Sequence, residues 1–384
     1  MKIQPYNNFW QRIHNSARNK GFPLRVMFEI TYRCNFHCRH CYMPQSYRNR
    51  KGELKTKEVF FILDQLSGIG CFYLGFTGGE PFMRRDILDI LGYARKLGFE
   101  IIIYTNGSLI DEEIAKQLSL LRPNIVDITI PGMSRLAFER VSRVSGSRDK
   151  VFRAIDLLHK KRINLGFKTC VLKENKSEIK QIQDFARSLG ALHRLDNMLS
   201  PCLDGSEEPY RYRGALKEDS ATRNTPHTTH IPSQITGNTS YINQQNCDFG
   251  EYNSGTEHRI PKTDNLFKCG VGVSQAAITP FGELKMCLMI DYPKYQIATR
   301  STPHASGSTL KEAWEKLKEL VRNIRPDENY KCNECELEPY CKWCPAKPWL
   351  YNRTFTSCEP EIRKWAEIRR QKSEVRGRKT EVSN

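Results

Sequence analysis

The stretch Cys34-Asn35-Phe36-His37-Cys38-Arg39-His40-Cys41-Tyr42 places three cysteines at a CxxxCxxC spacing. It follows the alternating run Leu24–Ile30, whose residues Val26, Phe28 and Ile30 share one face, as in a β-strand. A loop after a strand can fold three thiolates around one iron–sulfur cube, and three cysteines satisfy only three of its four irons. The fourth iron then stays open to a small chelating ligand, as a catalytic metal site requires.

Strand-like and helix-like segments alternate along the first half of the chain. The predicted strands are Leu24–Ile30, Cys71–Phe76, Glu100–Tyr104, Ile125–Ile130, Leu165–Val171 and Leu192–Met198. Amphipathic helices separate them, the first beginning with Thr56 as its cap and the second opened by Asp86. This alternation predicts parallel βα units and an α/β fold, a partial (β/α)6 barrel of the TIM type.

Three unusual loops each follow a predicted strand: Cys34–Cys41, Gly78–Glu80 and Thr105–Gly107. Because chemistry in such barrels lies at the carboxyl ends of the strands, we expect the three loops to share one mouth. Glycines allow backbone to approach a ligand, a carboxylate can accept hydrogen bonds from an ammonium, and Thr-Asn side chains suit ribose hydroxyls. Taken singly, each glycine-containing loop is also a plain turn.

In this order, the motifs resemble those of the radical S-adenosylmethionine (radical SAM) family. The resemblance implies that the amino and carboxylate groups of SAM chelate the open iron, and that SAM cleavage yields a 5′-deoxyadenosyl radical that abstracts hydrogen. An aromatic residue after the third cysteine, here Tyr42, is typical of the family. By the same resemblance Gly78, Gly79 and Glu80 hold the methionine amino group. The remaining implied SAM contacts are Thr105, Asn106 and Thr129.

A second group of cysteines lies near the C-terminus, with Cys269 and Cys287 in a Cys-x12-Gly-x4-Cys pattern. Cys332, Cys335, Cys341, Cys344 and Cys358 follow. The pattern resembles the SPASM extension, which carries one or two auxiliary 4Fe–4S clusters, although SPASM domains place three residues where Lys342 and Trp343 lie here. The resemblance assigns Cys332, Cys335, Cys341 and Cys358 to an outer cluster and Cys269, Cys287 and Cys344 to an inner one. We hypothesise an open iron in the inner cluster; paired zinc ribbons are the alternative.

The composition divides the chain into five parts. These are an N-terminal extension (1–23), the radical SAM partial barrel (24–206), a polar linker (207–268), the SPASM domain (269–361) and a basic tail (362–384). Within the linker, Ser220–Asn265 is rich in Thr, Asn, Ser, Gln and His, which predicts a mobile insertion. Cys247 lies inside it and has no evident role.

The charge and cysteine content limit the partners and the compartment. The 384 residues include 60 Lys and Arg against 43 Asp and Glu, a net charge of +17, which suits an acidic partner or is simply a solvated basic surface. The chain has no apolar run of transmembrane length and no apolar stretch near its start, so we expect a cytoplasmic protein with no membrane partner. Fourteen cysteines in a reducing compartment favour metal ligation over disulfides.

The main functional prediction is a radical SAM enzyme that modifies a ribosomally made peptide or protein. Because only a short segment precedes Leu24, we expect a separate carrier protein to present the substrate, and a flavodoxin or ferredoxin to supply electrons. The alternatives are a sulfatase-maturing enzyme, in which Asp takes the place of Leu288 after Cys287, and a haem-pathway enzyme. A non-enzymatic zinc protein binding nucleic acid is a further alternative, but we do not expect nucleic acid as a partner. No catalytic acid or base is identified.

Overall fold

A computed structural model describes residues 6–196, 199–214, 266–267, 269–299, 307–328, 330–341 and 343–381. The segment Ser220–Asn265, predicted to be mobile, lies outside the described residues together with Cys247. The strands are β1 (Arg25–Thr31), β2 (Tyr73–Gly78), β3 (Glu100–Thr105), β4 (Ile125–Thr129), β5 (Leu165–Cys170), β6 (Leu192–Asp196), β7 (Gln275–Ile278), β8 (Glu283–Lys285) and β9 (Lys294–Gln296).

The helices lie between the strands and after them. They are α1 (Tyr6–Lys20), α2 (Gln45–Arg48), α3 (Thr56–Gly68), α4 (Ile87–Lys96), α5 (Glu112–Leu121), α6 (Arg135–Ser142), α7 (Ser147–Lys160), α8 (Ile179–Ser188), α9 (Leu310–Asn323), α10 (Ala346–Asn352) and α11 (Pro360–Glu381). α1, α2, α6 and α10 were not predicted from the sequence. In the described part of the chain, no helix combines the length and apolar character that crossing a bilayer demands.

The strands form one sheet in the order β6-β5-β4-β3-β2-β1-β7-β8-β9. The first six are parallel neighbours in chain order, which confirms the predicted βα units of the partial barrel. In β1, Val26, Phe28 and Ile30 pack into the main core, as the alternation predicted. The intervening residues of β1, including Glu29, therefore face the other side of the sheet.

The C-terminal strands extend the same sheet. β7 pairs in parallel with β1, with Phe28 opposite Ile278. β7 and β8 then form the predicted hairpin, with Ala277 opposite Lys285, and β9 continues it. The cysteine-rich part is thus joined to the strand that leads into the Cys34 loop by backbone hydrogen bonds.

Two predicted helix starts differ in detail. Lys55, not Thr56, occupies the cap position of α3, and its backbone N–H donates to Glu58 at 2.8 Å in a capping box. Thr56 Oγ1 instead donates to Asp86 Oδ2 at 2.7 Å. Asp86 does precede α4, but its side chain makes no cap bond because Arg84 and Thr56 occupy it. The two side chains link the starts of α3 and α4 to each other.

Candidate active site at the carboxyl ends of the strands

The cysteine loop after β1 gathers three thiols. Burial raises the pKa of Cys34 to about 11 and that of Cys38 well above its ordinary value, and the neighbouring thiols, Cys41 among them, raise both further. Thiols that affect one another in this way lie in the same neighbourhood. Bound iron would displace the protons that burial keeps on them, since the thiolate is the ligand. Three soft sulfur donors suit an iron–sulfur cluster.

Arg48, at the end of α2, anchors this loop. Its Nη2 donates to Cys41 Sγ at 2.9 Å and its Nη1 to the Phe36 carbonyl at 2.7 Å. One guanidinium thus holds two points of the cysteine loop and places a positive charge beside a sulfur. This role was not predictable, because Arg48 lies in a polar segment with no periodicity.

We predict that Arg48→Met shifts the midpoint potential of the cluster at this loop to more negative values. Reduction adds negative charge, which a hydrogen-bonded cation stabilises, so its removal disfavours the reduced form. The measurement is a redox titration followed by the electron paramagnetic resonance signal that changes when SAM is added. Arg48→Lys, which keeps a charge but not the forked geometry, should shift the potential less. Equal potentials in all three proteins would contradict the prediction.

The Gly78–Glu80 loop lies directly against the chain that enters the cysteine loop. The Gly79 N–H donates to the Thr31 carbonyl at 2.7 Å, and the Glu80 N–H to the Arg33 carbonyl at 2.8 Å. A Cβ at position 79 would lie 2.2 Å from the Arg33 carbonyl oxygen, and Gly78 has a φ of +128°. The two glycines therefore allow contact between the two loop backbones, whereas the sequence predicted only an approach to a ligand.

Glu80 connects this loop to the next one. Its side chain is fully buried, and it accepts hydrogen bonds from Thr105 Oγ1 at 2.7 Å, the Asn106 N–H at 2.6 Å and the Phe82 N–H at 3.1 Å. Burial raises its pKa to about 7. Glu80 and Thr105 thus hold the two loops together. Their predicted contacts with SAM stay predictions, and the bonds found here favour a supporting role.

Asn106 joins the same unit to the cysteine loop. Its Nδ2 donates to Asn35 Oδ1 at 2.9 Å, Asn35 Nδ2 donates to Ser108 Oγ at 2.9 Å, and Ser108 Oγ donates to Asn106 Oδ1 at 2.7 Å. The three predicted loops therefore share one mouth and one polar network. Asn35 and Ser108 were missed as functional residues, although Asn35 lies inside the decisive nonapeptide.

The ends of β4, β5 and β6 add a charged side to the mouth. Thr129 is the register partner of Lys168. Lys168 Nζ lies 3.6 Å from Asp196 Oδ2, with both side chains near 40% exposed (42% and 38%). Burial raises the pKa of Cys170 to about 12, and Asp196 and Cys41 act on it in the same direction. Cys170, the last residue of β5, thus lies near the cysteine loop.

The segment Cys202–Ser206 closes the other side of the cysteine loop. The Leu203 N–H donates to the Tyr42 carbonyl at 2.9 Å, and Cys202 Sγ contacts the Cys41 carbonyl at 3.5 Å. Leu203 is buried in a small apolar cluster that the Tyr42 side chain packs against. Tyr42 is therefore positioned by packing, and its predicted contact with the cofactor stays a prediction.

The four cysteines predicted for an outer cluster lie in one neighbourhood. Burial raises the pKa of Cys341 to about 11, with Cys332 and Cys358 adding to the rise, and Cys335 acts in the same way on Cys358. The other three, Cys269, Cys287 and Cys344, pack against the main core. Gln275 Nε2 donates to the Cys269 carbonyl at 2.9 Å. The residues present suit auxiliary clusters, whose ligand sets remain predictions.

Among the described residues, no group of three or more His, Cys, Asp or Glu side chains is placed to bind a single metal ion. In a four-iron cube each cysteine binds a different iron atom. Its sulfur ligands therefore lie farther apart than the ligands of a single metal ion.

Comparison with known proteins decides the identity of the site. The family model described as the radical SAM superfamily matches residues 28–186, which contain all three loops of the mouth. The chain is an enzyme that contains a radical SAM domain. Its cofactors are SAM and a 4Fe–4S cluster, and the cysteine-rich C-terminal part suits the predicted auxiliary clusters.

Curated relatives of the enzyme fall into two groups. Fe-coproporphyrin III synthase of Methanosarcina barkeri is 33% identical over 159 residues, 41% of this chain and 40% of that protein. AdoMet-dependent heme synthase of the same organism is 25% identical over 354 residues, 88% of this chain and 95% of that protein. PqqA peptide cyclase of Gluconobacter oxydans is 27% identical over 169 residues, 44% of this chain and 47% of that protein.

Solved structures share the fold of the enzyme. Streptococcus suis SuiB bound to S-adenosylmethionine superimposes with a TM-score of 0.59 at 15% identity, covering 94% of this chain and 84% of SuiB. Native anSMEcpe with bound AdoMet gives 0.58 at 14% identity, covering 92% and 98%. At these identities the likeness concerns the fold, and it extends over both halves of the chain.

Proposed function

We propose that this radical SAM enzyme modifies a ribosomally made peptide or protein by hydrogen abstraction. The product is a thioether, a carbon–carbon crosslink, an epimer or an oxidised residue. When bound, the cluster and SAM supply a carbon-centred radical that can take hydrogen from an unactivated carbon. The chain itself binds SAM at the three loops, holds the loops rigid through Glu80 and Asn106, and presents the side near Lys168 and Asp196 to the substrate.

The balanced charge of the mouth is the observation that carries this proposal. Lys168 pairs with Asp196, Arg39 Nε lies 3.8 Å from Glu174 Oε1, and Arg33 Nε lies 3.4 Å from Glu53 Oε2. Each of these cations has a carboxylate beside it. A peptide, with neutral dipoles and charges of both signs, suits such a surface, whereas a porphyrin with several carboxylates meets an anion next to each cation.

The comparisons support the proposal without deciding it. PqqA peptide cyclase is a relative over 44% of this chain. SuiB has also been solved with its precursor peptide SuiA, and anSMEcpe with a peptide named Cp18Cys. These proteins share the fold at low identity, so they indicate that such a fold accommodates peptides.

A haem-pathway activity is the second candidate, and sequence coverage favours it. The AdoMet-dependent heme synthase of M. barkeri aligns with 88% of the chain, including the C-terminal part, whereas PqqA peptide cyclase aligns with 44%. A sulfatase-maturing activity has less support, because Leu288 follows Cys287.

The two candidates differ in the substrate that stimulates SAM cleavage. Anaerobically reconstituted enzyme, dithionite and SAM would be incubated with iron coproporphyrin III or with a peptide fraction from the cells that make the enzyme. We expect the peptide fraction to raise 5′-deoxyadenosine severalfold and to yield a peptide of altered mass. Digesting the fraction with protease beforehand should remove the stimulation. Formation of haem from the porphyrin would contradict the proposal and establish the second candidate.

We also propose that a separate carrier protein presents the substrate, and that an acidic flavodoxin or ferredoxin docks on the basic surface to donate electrons. Rapid turnover of a purified precursor without a carrier would contradict the proposal of a carrier protein. Turnover with such a donor that is insensitive to salt would contradict the second, because screening weakens attraction between exposed charges.

A further inference from the structure

Glu29 and Lys285 form an ion pair that is completely buried. Lys285 Nζ lies 2.7 Å from Glu29 Oε2, and both side chains are 0% exposed. Tyr32 donates its hydroxyl hydrogen to the same oxygen at 3.1 Å, and Lys285 Nζ also donates to the Leu288 carbonyl at 3.2 Å. Glu29 Oε1 is buried and has no hydrogen-bond partner among the described residues.

The pair connects the two cysteine regions across the sheet. Glu29 lies on β1, and Tyr32 precedes Cys34 by two residues. Lys285 ends β8, two residues before Cys287, and Leu288 directly follows that cysteine. β7 lies between the two strands, and its Ala277 is the register partner of Lys285. The small alanine side chain leaves the space that lets the lysine reach across β7.

Stability alone is a weak reason for such a pair. Removing two charges from water is unfavourable, and apolar replacements of buried ion pairs are often neutral or stabilising. Lysine and glutamate are also among the residues that are almost never fully buried unless paired. The pair lies between the two cysteine regions, where its charges can act on a bound cluster. An apolar pair could not have this electrostatic effect.

We propose that the Glu29–Lys285 pair positions the Cys287 segment against the strand leading to Cys34, and that its charges set the reduction potential of the cluster bound through Cys287. The proposal rests on the predicted ligand role of Cys287. The lysine contacts the backbone next to Cys287 and the glutamate lies one side chain further away, so the cation acts on the cluster more strongly. Reduction adds negative charge to the cluster, and a nearby cation favours it.

The test compares wild type with Glu29→Gln, Lys285→Gln and the double variant, all as reconstituted holoenzyme. The readout is the midpoint potential of the auxiliary-cluster signal in electron paramagnetic resonance, with iron content measured on the same samples. Glu29→Gln leaves the cation and should raise the potential; Lys285→Gln removes the cation and should lower it. The double variant should lie between the two single variants.

Asp127→Asn is the matched control. Asp127 is a buried carboxylate that pairs with the partly exposed Arg194, but it lies on β4, separated from β8 by β3, β2, β1 and β7. Asp127→Asn should lower the thermal midpoint of unfolding without shifting the midpoint potential of the auxiliary cluster. Unchanged potentials in the Glu29 and Lys285 variants, or shifts of the same sign, would overturn the proposal. Loss of auxiliary iron from all three variants would overturn the proposed control of the potential, since the pair would then only position the Cys287 segment. Because no peptide is involved, the result is independent of the proposed substrate.

Discussion

Cys38→Ala is expected to abolish reductive cleavage of SAM. The side chain of Cys38 is one of three thiols gathered after β1, and two thiolates no longer hold the cube whose fourth iron SAM requires. Iron should fall by about four atoms out of about twelve per chain. The measurement is 5′-deoxyadenosine formed with dithionite and SAM, together with iron content.

Two further cysteine variants serve as controls for Cys38→Ala. Cys71 is buried beside β2, where its Sγ contacts the Tyr73 carbonyl at 3.6 Å, so Cys71→Ala should keep both iron and SAM cleavage. Cys358→Ala, at the exposed predicted ligand of the outer cluster, should lose iron while SAM cleavage persists. Undiminished 5′-deoxyadenosine from Cys38→Ala would show that the site lies elsewhere.

Among the loop variants, Glu80→Ala is expected to cause the largest loss of SAM affinity and of thermal stability. It removes the acceptor of three hydrogen bonds at a fully buried position, and hydrogen bonds to a charged group contribute roughly 1.5–3 kcal/mol each. The Thr105 loop would then separate from the Gly79 loop, so the KM for SAM should rise along with a fall in the thermal midpoint. Glu80→Gln keeps one acceptor oxygen, so both the rise in KM for SAM and the fall in the thermal midpoint should be smaller.

The pH dependence of the thermal midpoint, compared between Glu80→Gln and wild type, gives an independent check. Burial raises the pKa of Glu80 from 4.5 to about 7, so the folded protein holds this proton more tightly than the unfolded chain does. The stabilisation is fully present below pH 4.5 and is lost as pH rises through about 7, a difference of about 3 kcal/mol. The thermal midpoint of Glu80→Gln relative to wild type should therefore rise from pH 5 to pH 8. Parallel pH profiles would contradict the role given to Glu80.

Local sequence patterns predicted the elements of the fold because their causes are local. The alternation in β1 and the helix periodicity set the βα units, and the handedness of such units leaves few ways to order the strands. The shared mouth followed, since loops after parallel strands lie at one edge. Thr56 shows the limit at element ends, because its hydroxyl bonds to Asp86, a partner that no local pattern reveals.

Contacts between distant parts of the chain were not predictable in the same way. The sequence shows Glu80 as a carboxylate, but not that Thr105 and Asn106 supply donors to it from the next strand. The parallel pairing of β7 with β1 joins residues about 250 positions apart, and no periodicity encodes it. Lys285 is the clearest case: a lysine in a short strand is expected to face water, and only the tertiary structure places Glu29 opposite it.

The most direct test of the central claim is the metal content and SAM chemistry of the anaerobically reconstituted wild-type enzyme. We expect about twelve irons per chain, corresponding to three cubes, and 5′-deoxyadenosine on addition of dithionite and SAM. Zinc in place of iron, with no cleavage of SAM, would contradict it.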